Sequence, residues 1–189
     1  MTLHALYDLS EVTRAGVFLG YGQQTPQDLD MDDAYDVMFY GLEIQTRLAD
    51  NVEVYAQIGA GDKVADGQDS SEGWNGGIIG RFGMNYDITS NTMLNFDFEI
   101  GASRNYIDSS DPGRFFGVTI GGKTRIMEDT PLYANYFARY DYLSATDEGD
   151  NIDEVQFGVG LQYAFGGGSN LISSPRLPTR ASAWTEWID

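Results

Sequence analysis

The sequence predicts an all-β fold: an eight-stranded antiparallel up-and-down transmembrane β-barrel with a short C-terminal tail. Three observations carry this expectation. Eight segments alternate apolar and polar residues with a period of two, and the connections between them are alternately long and short. The charges on the polar faces nearly cancel, although the 189-residue chain carries a formal charge of −18. The expected organisation is an N-terminal extension over 1–12, the barrel over 13–165 and a flexible tail over 166–189.

The first segment, about Thr13 to Gln23, sets Ala15, Val17, Leu19 and Tyr21 against Arg14, Gly16, Phe18 and Gly20. The second, Val37 to Leu48, sets Met38, Tyr40, Leu42 and Ile44 against Gly41, Glu43, Gln45 and Arg47. In the third, Val52, Val54, Ala56 and Ile58 oppose Glu53, Tyr55, Gln57 and Gly59; in the fourth, Ile78, Phe82, Met84 and Tyr86 oppose Gly77, Arg81, Gly83 and Asn85. The fifth has the cleanest alternation, with Leu94, Phe96, Phe98 and Ile100 against Asn95, Asp97, Glu99 and Gly101. The sixth places Phe116, Val118 and Ile120 opposite Gly117, Thr119, Gly121, Lys123 and Arg125. The seventh places Ala134, Tyr136, Ala138 and Tyr140 opposite Tyr133, Asn135, Phe137, Arg139 and Asp141. The eighth alternates Val155, Phe157, Val159, Leu161, Tyr163 and Phe165 with Gln156, Gly158, Gly160 and Gln162.

Connections after odd segments are long, near 24–36, 62–73, 104–114 and 143–154. Those after even segments are tight, around Ala49-Asp50-Asn51, Thr89-Ser90-Asn91 and Glu128-Asp129-Thr130-Pro131, and are rich in turn formers. Long loops on one side and short turns on the other are the layout of an outer-membrane barrel, with extracellular loops and periplasmic turns. An even strand count places both termini on the periplasmic side.

Alternation alone also fits a water-soluble barrel with its apolar face inward, and the charges discriminate. Arg14, Arg47, Arg81, Lys123, Arg125 and Arg139 share the polar faces with Glu43, Glu53, Asp97, Glu99 and Asp141. Near balance suits an ion-pair network in a confined lumen, where an unpaired charge is costly. Glycines on the same faces leave room for the long charged side chains of so narrow a barrel. Gly76 and Gly80 are expected to mark bulges. Aromatic residues of the apolar faces gather toward segment ends, as in two interfacial girdles: Tyr21, Tyr40, Trp74, Phe116, Tyr140 and Tyr142 on the loop side, Tyr86, Tyr163 and Phe165 on the turn side.

Composition excludes other classes. There is no cysteine for a disulfide framework or thiolate metal site, and the acidity disfavours nucleic acid as a partner. An aromatic content of 13% argues against disorder. No run approaches the roughly 18 apolar residues of a spanning helix. Met1 to Ser10 lack the basic and apolar regions of a secretory signal. Because a barrel has to be exported, the sequence is expected to represent a processed or recombinant form.

The eighth segment, with Phe157, Val159, Leu161, Tyr163 and Phe165 in alternation, resembles the C-terminal signature of outer-membrane barrels, which ends in Tyr-x-Phe. With the eight-segment pattern, the chain is similar to the OmpA/OmpX-like small barrels of Gram-negative bacteria. The resemblance implies recognition of this segment by the barrel assembly machinery. It also implies residence among outer-membrane lipid and lipopolysaccharide. One departure matters: twenty-four residues follow the signature. Gly166-Gly167-Gly168-Ser169-Asn170 reads as a flexible linker, and the tail is too short for the peptidoglycan-binding domain that follows the barrel in OmpA. It is read as a disordered extension; the alternative is a peptide docking a periplasmic protein through Trp184 and Trp187, typical interface anchors.

Barrel enzymes of this membrane use histidine with serine or acidic residues, and this chain has one histidine, His4, before the first expected strand. No Ser/His/Asp arrangement can be assembled on the barrel, no catalytic residue is assigned, and no cofactor is expected. The long connections hold sixteen acidic residues against three basic ones. Asp28, Asp30 and Asp32 have the spacing that opens a calcium loop but lack its glycine and closing glutamate. They read as a solvated acidic loop, with weak divalent-cation binding as the alternative. The function expected is non-enzymatic and structural, serving envelope integrity. The alternatives are a narrow ion-conducting pore, or an adhesin or partner-binding module acting through the loops or the tail.

Overall fold

In the computed structural model of the chain, residues 2–24, 35–64, 77–103, 113–127, 130–145 and 151–163 are described. They form nine strands: β1 (Thr2–Asp8), β2 (Thr13–Gln24), β3 (Tyr35–Ala49), β4 (Val52–Val64), β5 (Gly77–Thr89), β6 (Thr92–Ser103), β7 (Gly113–Met127), β8 (Thr130–Ala145) and β9 (Asn151–Tyr163). All pair antiparallel with their sequence neighbours in a single up-and-down sheet ordered β1 to β9. Each of the eight expected segments is a strand, β2 to β9.

The ninth strand corrects the sequence reading. Residues 2–8, expected to belong to an extension, pair along β2 from Thr2 opposite Gly20 to Asp8 opposite Arg14. Ser10 makes the turn, its hydroxyl accepting from the amides of Val12 and Thr13 at 3.3 and 3.1 Å. With an odd number of strands, β1 and β9 run in the same direction. The start of β1 and the end of β9 therefore lie toward opposite ends of the sheet, not at one end. Among the described residues no pairing joins β1 to β9, and these two strands are the edges of a sheet that is not closed.

Three hairpins share one device. The ladder shifts register between Arg47 and Ala49, between Asp87 and Thr89, and between Arg125 and Met127, each time at the short-turn end. The amides of Arg47, Asp87 and Arg125 donate to the carbonyls of Val12, Asn51 and Asn91 at 2.8 to 2.9 Å, so the backbone groups at each irregularity are used by the neighbouring hairpin. Gly80, expected at a bulge, lies in regular register between Ile58 and Ile100. The irregularities sit beside the turns, and each leaves one strand of the hairpin with one residue more than its partner, which increases the local twist. Gly76 lies outside the described residues.

The sheet wraps around its polar face. Side chains touch across a skipped strand: His4 of β1 meets Glu43 of β3, Tyr55 of β4 meets Asp97 of β6, and Arg139 of β8 meets Glu99 of β6. Alternate strands are about 9.5 Å apart, so such contacts need side chains converging on a concave face. Aromatic rings fill much of it. A Cβ at Gly20 would collide with Phe39, at Gly83 with Tyr55, at Gly101 with Phe115, and at Gly41 and Gly59 with Phe18. The space expected to serve charged residues mostly houses rings; at Gly117 it is taken by Asp141 and Arg139.

Candidate functional site: the charged inner face

Charged and amide side chains on this concave face fall into local groups, each built by strand alternation and closed by curvature. At the centre, Arg81 donates from Nε to both oxygens of Asp97, at 2.8 and 2.7 Å. Tyr55 donates its hydroxyl to Asp97 Oδ2. Beside them Arg139 bonds Asp141 two residues along its own strand and reaches Glu99 Oε2 from Nη2 at 3.3 Å. Asp97, Glu99 and Asp141 are 1% exposed or less. Two guanidinium groups thus hold three carboxylates, and Glu99 Oε1 and Asp141 Oδ1 accept no hydrogen bond from the described residues.

A second group joins β1, β3 and β4. His4 Nδ1 lies 3.0 and 3.2 Å from the two oxygens of Glu43, to which Gln57 Nε2 donates at 3.0 Å. His4 is therefore not ahead of the first strand but inside the fold, on a strand the periodicity missed. The signal was present in the alternation of Leu3, Ala5 and Tyr7 with His4, Leu6 and Asp8. It was obscured because the strand is short and Leu6 breaks the polar set.

Toward the short turns, Asn85 donates to Glu53 at 3.2 Å. Lys123 Nζ sits 4.3 Å from the Tyr133 ring centre, and Arg125 donates to the Tyr133 hydroxyl at 3.1 Å. Two residues expected in the inner network stand apart from it. Arg14 pairs with Asp8 at 2.8 Å in an exposed bridge, and Arg47 is exposed. Both lie near the turn end, where the sheet no longer covers them.

No group of three or more His, Cys, Asp or Glu side chains able to hold a metal occurs among the described residues. His4 with Glu43 has the form of an acid–base pair, yet the partners recorded around it are Glu43, Phe18 and, through Glu43, Gln57. Chemically the face is an arrangement of mutual charge compensation.

The opposite face is apolar and uncovered. Leu42, Ile58, Ile78, Phe82 and Ile120 are each at least half exposed. Of the expected assembly signal, Phe157, Val159, Leu161 and Tyr163 project from the outer side of β9. Phe165, Trp184, Trp187, Asp28, Asp30 and Asp32 lie outside the described residues. No protein-family model matches this sequence, and none of the curated proteins matches it.

Proposed function

We propose that the sheet closes into a transmembrane β-barrel of a bacterial outer membrane, with a structural, non-enzymatic role in envelope integrity. The observation that carries this reading is the inversion of burial. Glu43, Asp97, Glu99, Arg139 and Asp141 are on the covered face, while Val17, Leu42, Ile58, Phe98 and Ile100 are on the uncovered one. A water-soluble sheet with this pattern would expose an apolar patch far beyond the few hundred Å² that soluble surfaces ordinarily tolerate. In lipid the same surface is the favourable one.

Aromatic placement is in keeping with a bilayer boundary on the long-connection side. Phe116 packs at a tilt against Tyr140 and Tyr142, at 6.0 and 5.4 Å between ring centres, and Tyr21 and Tyr40 stand on the same outer face. A concave face filled by rings and paired charges is a scaffold rather than an open conduit. Lipid and lipopolysaccharide are the proposed surroundings, and the barrel assembly machinery is the proposed partner during insertion.

The test is insertion without leakage. Refolded protein mixed with dye-loaded vesicles should float with the lipid while the dye and small ions stay inside. Protein that remains in the aqueous fraction overturns the membrane reading. Flotation with discrete conductance steps in a planar bilayer replaces the structural role by a pore.

A further inference from the structure

We infer that Glu99 carries a proton in the folded protein, so that the central cluster of the concave face is a proton-binding site as well as a set of ion pairs. The inference goes beyond the structural role proposed above. It rests on the enclosure of the concave face and holds whatever covers the outer one.

The charges of the cluster do not balance. Arg81 and Arg139 stand against Asp97, Glu99 and Asp141, each of which is 1% exposed or less. Two guanidinium groups and three carboxylates leave a formal surplus of one negative charge out of reach of solvent, where an uncompensated charge is neutralised rather than kept. Hydrogen bonding is short in the same place. Glu99 Oε1 and Asp141 Oδ1 are buried and have no donor among the described residues.

The ladder brings these two carboxylates to one corner. Glu99 lies opposite Gly117, and Gly117 opposite Asp141. A Cβ at Gly117 would fall on Asp141 Oδ1 and on Arg139 Nη2, the nitrogen that holds Glu99 Oε2. A single proton taken from solvent onto Glu99 Oε1 answers both shortfalls. It brings the cluster to neutrality, and it turns Glu99 into a donor with Asp141 Oδ1 as the vacant acceptor across the glycine.

The donor sets single out Glu99. Asp97 receives Arg81 Nε on both oxygens and the Tyr55 hydroxyl, and Asp141 receives Arg139 Nε. Glu99 has one recorded bond, the longest of the cluster at 3.3 Å, and the carbonyl oxygen of a neutral acid can accept it. The charged groups around Glu99 are Arg81 of β5, Asp97 of its own strand and Arg139 of β8, with Asp141 held through Arg139. β4 contributes Tyr55 through Asp97. β7 places Gly117 and Thr119 at this level, while its Lys123 and Arg125 lie toward the turns beside Tyr133. The three carboxylates do not converge as metal ligands do, so a proton is the cation that fits.

The experiment is infrared spectroscopy of the full chain refolded with vesicles at neutral pH. Exposed carboxyls are then ionised, so the carbonyl stretch of a neutral carboxylic acid reports a buried one. The parent should show this band. Heavy-carbon labelling of glutamate side-chain carboxyls should shift it, the same label in aspartate should leave it in place, and Glu99→Gln should abolish it. Urea unfolding gives a second readout. Where the unfolded chain has Glu99 ionised, the folded parent holds one proton more, so its unfolding constant should rise about tenfold per pH unit relative to that of Glu99→Gln. Absence of the band in the folded parent, a band that follows the aspartate label or survives in Glu99→Gln, or equal pH slopes would each overturn the inference. If Glu99→Gln does not fold, the labelled parent decides. Flotation of the same samples tests the membrane reading separately, because the band is read from folded protein in either fraction.

Discussion

Arg81 bypasses Glu99, the residue directly opposite it in the ladder, and bonds Asp97 diagonally across β5 and β6, with Nε 2.7 Å from Oδ2. Tyr55 approaches the same carboxylate from β4. The diagonal reach leaves Glu99 to Arg139, which also holds Asp141, so the two guanidinium groups share no carboxylate. Arg81→Ala leaves Asp97 buried with the Tyr55 hydroxyl as its remaining recorded donor. Loss of about 3 to 5 kcal/mol is expected, as for other buried pairs broken on one side. Urea unfolding of the refolded protein measures it. The double variant Arg81→Ala/Asp97→Ala should lose less than the sum of the two single variants.

The packing of rings over glycine makes a matched comparison. At Gly83 an added Cβ would fall on the Tyr55 ring, whereas at Gly80 its nearest neighbour would be Ile100 Cγ1 at an ordinary 3.5 Å. Gly83→Ala should therefore destabilise by about 1 to 3 kcal/mol through overpacking. Gly80→Ala should stay within about 0.5 kcal/mol of the parent. The same urea titration separates the two.

His4 ties the edge strand β1 to β3 through Glu43, whose side chain has no exposed surface. His4→Ala removes a donor from that carboxylate and should cost about 1 to 3 kcal/mol. His4→Gln, which keeps a donor, should recover part of the loss. Hydrogen exchange should place the effect in β1 and β2, with β5 to β7 unchanged.

Charge on the outer face should be penalised by depth. Phe98 lies midway along β6, and Ile126 is next to a short turn. In a bilayer, Phe98→Lys should cost about 2 to 4 kcal/mol and Ile126→Lys about 0 to 1 kcal/mol. Equal costs at the two positions, measured in vesicles, would argue against a hydrocarbon layer around the sheet.

Strands β2 to β9 were legible because period-two alternation is a local property, written in residues such as Leu94 to Ser103 without reference to any partner. β1 was not, since seven residues with Leu6 among the polar positions make too short and too mixed a pattern. Which face is covered was readable from the near balance of charge. Partnerships were not. That Tyr55 serves Asp97, that His4 serves Glu43 and that Arg14 turns away to Asp8 depend on curvature and stagger, which bring strands together across an intervening one. The filling of glycine vacancies by Phe18, Phe39 and Phe115 rather than by long charged side chains has the same origin.

The central claim is that lipid covers the outer face. Single cysteines placed at Ile58, Phe98 and Asp50 in this cysteine-free chain can carry a fluorophore into vesicles containing brominated lipid. Ile58 and Phe98 belong to the exposed apolar surface, and Asp50 to the turn between β3 and β4. The account predicts strong quenching at Ile58 and Phe98, little at Asp50, and the reverse order with aqueous iodide. Labels at Ile58 and Phe98 that ignore brominated lipid and are quenched by iodide would contradict it.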